Sequence, residues 1–174
     1  IRRLFLIIKE THSLIAEDFE ASLLKNRESI LEIKNQHDKL TLFCKRLLFK
    51  KGEEKNILLE WELLTFLMHI EHAYYYMYEH ASKNKAALDN VTLNELSSYY
   101  GLLYDSYYTN DLKKIHKINS LKSQYHFGKC LEKIKSVKGN TAVTYSYARE
   151  IFRLMQLTSS PILAKIIDEE LTQV

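Results

Sequence analysis

With 174 residues, 46% hydrophobic and 27% charged, the sequence has the size and balance of one core-burying domain, not of a disordered chain. Only 4 Gly and 1 Pro punctuate it, so turns are few and elements long, which favours helices. The formal net charge is +3 with acids and bases interleaved, which speaks against a concentrated nucleic-acid face, and no apolar run approaches the ~20 residues that span a bilayer.

The opening "IRRLFLIIKE" has too short an apolar part for a signal peptide. Because the numbering opens on Ile, the chain is expected to be a piece of a longer one. Leu4, Ile8, Thr11, Ile15 and Phe19 recur at helical spacing and predict a first helix with one apolar stripe. A second follows through Ile30, Ile33, His37, Leu40, Cys44 and Leu47, stopped by Gly52 behind a run of lysines. The third spans about Asn56 to Ser82 on Leu59, Leu63, Phe66, Ile70, Ala73, Met77 and Ala81.

A polar connection, "SKNKAALDNVT", leads to a fourth helix over roughly Leu93 to Tyr108, with Thr92 as expected N-cap and Glu95 three residues on. "TNDLKK" opens a fifth, capped by Thr109 or Asn110. After the turn "GNTAVT", a last long helix keeps Tyr145, Ala148, Phe152, Met155, Ser159, Ile162 and Ile166 in register. Pro161 inside it predicts a kink or an early stop. "ILEIKNQHDKL" and "LKKIHKINSLK" align Ile33 on Ile115, so three helices followed by three more is the expected order. The fold class is all-α, two tandem antiparallel three-helix units. Cys44 and Cys130 lie far apart and are expected to be reduced, small core residues of a cytoplasmic chain.

The stretch richest in chemistry is His69 to His80, "HIEHAYYYMYEH". On a helical wheel Ile70, Ala73 and Met77 join the core stripe, with Tyr74 and Tyr78 at its edge, rings inside and hydroxyls in water. His69, His72, Tyr76 and His80 share one flank, and Glu71 and Tyr75 sit near the other. His69 and His72 could reach one zinc ion, but His80 is too far along to join them, and solvated or hydrogen-bonded histidines are the plainer reading. The Glu-x-x-His pair of di-iron bundles does not occur here, and neither Gly-rich phosphate loops nor nucleophile motifs occur elsewhere, so the chain reads as a non-enzyme. The lysine-rich Lys113–Lys138 segment keeps a nucleic-acid-binding subunit as the alternative.

In "IRRLFLIIKETHSLIAEDFEASLLKNRESILEIKNQHDKLTLFCKRLL" and "LLTFLMHIEHAYYYMYEHA" the sequence resembles a phosphate-uptake-regulator (PhoU) domain, in the archaeal form that follows an AbrB-like DNA-binding segment. The acidic "D-x-L" element of the second helix matches Asp38-Lys39-Leu40, and Ile70-Glu71 match the Ile-Glu of the third. The resemblance implies one PhoU-like domain over 1–174, with repeats at 1–84 and 92–170. It also implies regulation of phosphate uptake through protein contacts, with a homodimer and a phosphate transporter component or phosphate-responsive regulator as partners. DNA would be met only through a preceding segment, and the domain would be the dimerising or sensing half of a transcription regulator.

Some relatives of this kind bind iron or zinc clusters through Glu/Asp-x-x-x-Asp motifs, one per repeat. Carried over, the first motif gives Glu71 and Tyr75, and the second gives Gln156 and Ser160; Asp38 keeps an acidic position where Ser120 does not. A cation needs several carboxylate oxygens to offset its loss of water, so no cofactor or cluster is expected. The expected partner surface is the outward half of the third helix, Glu71, Tyr75 and Tyr76, together with Asp38.

Overall fold

Long helices with few glycines need a left-handed residue wherever the chain reverses, and polar or flexible residues supply most of these. The structure, a computed structural model, describes residues 1–52 and 56–172. Helix α1 (Arg2–Ala21) ends on Ser22 at φ 55°, α2 (Arg27–Lys51) on Gly52 at φ 72°, and α3 (Ile57–Asn84) on Lys85 at φ 53°. Then come α4 (Asn90–Thr109), ended by Asn110 at φ 50°, α5 (Leu112–Gln124), α6 (Cys130–Ser136) and α7 (Asn140–Thr172). A π-turn, Tyr125–Lys129, joins α5 to α6 without leaving helical backbone, so the described residues form 6 helical rods. The described residues contain no strand and no helix long and apolar enough to cross a membrane.

Side-chain bonds fix the directions of the rods. Thr11 meets Glu71 and Asp18 meets Tyr78, so α1 runs parallel to α3; Arg27 meets Glu79 and Lys45 meets Thr65, so α2 runs antiparallel to it. In the same way Tyr145 bonds Asp89 and Phe152 meets Tyr99, while Arg149 bonds His126 and Gln156 bonds Asn119, placing α4 parallel and α5–α6 antiparallel to α7. Lys165 reaches Glu60 from α7, making α3 and α7 an antiparallel pair at the centre. One hydrophobic cluster runs from Leu4 of α1 to Ile166 of α7. Fully burying a side chain such as Leu67 or Phe152 contributes roughly 1.5–3 kcal/mol each.

The expected stripes of α1 and α7 are buried throughout. The stripe of α2 is not: Ile30 and His37 are buried, but Leu47 is 44% exposed, and none of the residues 42–50 is fully buried. The expected caps also move by a few residues. Asp89, not Thr92, caps α4, accepting from the Thr92 N–H at 2.7 Å; Asp111, not Thr109 or Asn110, caps α5, accepting from Lys113 N–H. A carboxylate competes well for these positions because it also meets the positive end of the helix dipole. Pro161 does not end α7, which continues to Thr172. Gly128 suits the π-turn, since a Cβ there would stand 3.0 Å from the Ser123 carbonyl oxygen, a tight contact.

The α1–α2 corner is held by one buried carboxylate. Asp18 accepts from the Tyr78 hydroxyl at 2.5 Å, from the Asn26 backbone N–H at 2.8 Å and from its side-chain amide at 2.9 Å. Replacing Asp18 by Ala strands all three donors, and we expect a loss of about 3 kcal/mol in urea unfolding at unchanged m-value. Tyr78→Phe, which removes one donor and leaves the other two satisfied, is expected to cost about 1 kcal/mol.

Candidate functional site on the third helix

Helix α3 packs against α1, α2 and α7, so little of its circumference reaches water. Tyr74 and Tyr78 are accordingly 0% and 1% exposed, hydroxyls included, and not at the wet edge that their amphipathic rings predict. Tyr78 stacks on Phe19 and donates to Asp18; the Tyr74 ring meets His12 edge-on at 5.5 Å. Burial pushes both phenols well above their ordinary value.

Glu71 faces inward as well. It is fully buried, so it cannot belong to a partner surface, and its Oε1 accepts from the Thr11 hydroxyl at 2.7 Å. Burial raises its carboxyl to about 8 against the Thr11 bond, which acts the other way. The carboxyl group is therefore neutral at physiological pH. His12 and His37 share this interior, and burial lowers both imidazoles to about 4, so they too are neutral. His12 Nδ1, His37 Nε2, Glu71 Oε2 and the Tyr74 hydroxyl have no hydrogen-bond partner, which makes this interior polar but poorly satisfied. His12 also lines a cavity of about 250 Å³ between α1 and α4, with Lys9, Ser97, Tyr100 and Asp105.

Asp38 lies at the rim of this group. Its Oδ1 accepts from His72 Nε2 at 2.7 Å and its Oδ2 from Lys34 at 2.7 Å. Burial pushes the Asp38 carboxyl up, but Lys34 and His72 together outweigh it and hold it below the ordinary value. His72 is thus committed to Asp38, while His69 is exposed. Among the described residues no three His, Cys, Asp or Glu side chains are placed to share a metal ion.

The outward side of α3 forms a shallow groove with α7, about 330 Å³, lined by Tyr75, Tyr76, Glu79, His80, Lys83 and Tyr147. Tyr76 is 50% exposed and meets Tyr75 edge-on at 5.4 Å. His80 donates to the Asn140 carbonyl and leans on the Tyr147 ring, and Glu79 is held between Arg27 and Lys83. Tyr147 and His12 are the residues that sequence reasoning passed over. His12 was visible as the residue four after Ile8 on the α1 stripe; Tyr147 carries no such signal. Gln156 donates to Asn119 on α5 and Ser160 is exposed beside Pro161, so neither adds a carboxylate to Glu71. In the lysine-rich segment, Lys114, Lys129 and Lys133 are ion-paired with Asp105, Glu95 and Asp89, and Lys122 lies over the Phe127 ring.

These features define an all-helical bundle with a neutral polar interior on one side of α3 and an aromatic groove on the other. Set beside known proteins, the chain matches no family model, no curated protein and no solved structure.

The interior sets a pH profile. Glu71 holds its proton to about 8 when folded against an ordinary 4.5, so the folded chain binds the extra proton and stability falls as pH rises between those values. His12 and His37 protonate at about 4 when folded against an ordinary 6.5, so stability falls as pH drops through that window. Two histidines outweigh one carboxyl where the windows overlap, and the expected maximum of stability lies near 6.5, the upper end of the histidine window. Glu71→Gln should remove the alkaline loss, a decline on the order of 2 kcal/mol between the maximum and about 8. Urea midpoints measured against pH for both chains check this; a decline above 6.5 that persists in Glu71→Gln would count against it.

Proposed function

We propose that the chain is a non-enzymatic regulatory domain of the PhoU type, acting in phosphate homeostasis through contacts with other proteins. The observation that carries this reading is the matched direction of the rods. The pair α1 and α2 runs parallel and antiparallel to α3, and the pair α4 and α5 runs parallel and antiparallel to α7, the order that two three-helix repeats would have. The sequence resemblance through the first three helices, ending at Ile70-Glu71, supports the same family.

Where clustered relatives present carboxylates, this chain offers Tyr75, Gln156 and Ser160, and the one acid at these places, Glu71, is spent on Thr11. Metal chemistry then gives way to surface recognition. The groove of Tyr75, Tyr76 and Tyr147 is the contact surface, because half-exposed aromatic rings bury much area at little entropic cost. Its partner is a second copy of the chain, a component of a phosphate transporter or a phosphate-responsive regulator.

The test couples elemental analysis of the purified protein with its light-scattering mass. We expect metal-free dimers, and we expect Tyr75→Ala with Tyr76→Ala to weaken association by roughly tenfold or more. Two or more tightly bound irons per chain would overturn the reading, and unchanged association in the double variant would remove the groove from it.

A further inference from the structure

The far half of α2 breaks the pattern of the rest of the molecule. From Leu42 onward its outward arc carries Leu42, Phe43, Leu47 and Phe49, exposed at 56%, 55%, 44% and 80%. The start of α3 adds Leu58 at 80% and Trp61 at 43%. The cluster is joined across the two helices, since Lys45 bonds Thr65 at 2.8 Å and sits 5.0 Å from the centre of the Trp61 ring. Large apolar side chains grouped in this way mark a surface that is covered in use.

The charges say by what. Five of the residues from Lys39 to Gly52 are Lys or Arg and none is acidic; the next acids in the sequence are Glu53, Glu54, Glu60 and the exposed Glu62. At 100° per residue, Arg46 and Lys50 fall between Leu42 and Phe49 on one side and Phe43 and Leu47 on the other. Glu60 at the start of α3 is turned away to Lys165 and Tyr107. A helix that alternates Phe, Leu and Trp with Lys and Arg suits the interface of an anionic bilayer, rings at the acyl boundary and cations among the headgroups. A second copy docked face to face would set basic rows against each other.

We propose that this end of the α2–α3 hairpin docks on an anionic lipid surface, with Phe43, Leu47 and Phe49 inserted and Arg46 and Lys50 at the headgroups. The docking is peripheral, as none of the described helices can span a bilayer. It stands apart from the regulatory reading, since it uses none of the groove between α3 and α7.

Trp61 is the sole tryptophan, so its emission reports the contact directly. The experiment titrates the protein with phosphatidylcholine vesicles, with and without phosphatidylglycerol, and repeats the series at rising salt. Expected are a blue shift of Trp61 and vesicle flotation with the anionic lipid, with affinity roughly tenfold or more lower on the neutral lipid and falling with salt. Phe43→Ser with Phe49→Ser should lose about tenfold in binding, and Leu23→Ser, exposed in the corner that precedes α2, should lose none. Because these positions are already in water, circular dichroism should be unchanged in all three proteins. An unshifted Trp61 with anionic vesicles overturns the proposal, whether an acidic protein surface or nothing then covers the face. So does undiminished binding by the double serine variant. A lipid-free doubling of mass that the same variant abolishes would assign the face to a second copy instead, and would also overturn it.

Discussion

A carboxyl group removed from water must be paired or neutral, and α3 is built around one that is neutral. Glu71 lies where α1 and α3 run side by side, and the Thr11 hydroxyl is its one hydrogen-bond partner. Because burial holds the proton on the carboxyl group, no counter-cation has to be brought inside, and the neighbours can be phenols and neutral imidazoles. That choice lets Tyr74 and Tyr78 turn fully inward beside it. With its inner side closed in this way, α3 meets α7 across the centre and, past its first turns, leaves a narrow aromatic strip for other molecules.

Two other carboxylates, Asp18 and Asp89, are treated differently, each being met by several donors. Asp18 is buried too, but three donors converge on it and tie the α1–α2 corner to α3. Asp89 does the same work where the chain passes from α3 to α4: burial would raise it, yet Lys133, Tyr145 and Thr92 hold it well below the ordinary carboxylate range. Capping and cross-linking thus fall to the same side chain at that junction. A chain with 4 Gly has few cheap ways to turn, and it fixes its turns with short acids instead.

The helix stripes were legible in the sequence because apolar spacing reports burial directly, and α1 and α7 follow it residue by residue. The site was harder to read. Tyrosine is ambiguous in any pattern, since ring and hydroxyl prefer different surroundings, and only the neighbours decide; Tyr74 goes inside and Tyr76, two residues on, goes out. Glu71 scores as a surface residue on composition alone, and its burial follows from Thr11, sixty positions away, which no local window contains. The caps were missed by a few residues because Asp, Thr and Asn all compete at a helix start, and the winner depends on where the preceding chain arrives. The end of α2 was read as core from its period, but a period shows that a helix has a face, not that anything covers it.

The π-turn at Tyr125–Lys129 has the geometry of a single inserted residue, absorbed as one wide loop within a helix. Each extra residue rotates all that follows by about 100°. The rotation brings His126 under Arg149 and lets Cys130 face the core after α5 has already presented Ile115 and Ile118. Trimming one residue there would restore an ordinary helix and swing α6 out of step with α7. The fifth rod is therefore two registers spliced end to end, and an alignment that slides it as one piece will match either half but never both.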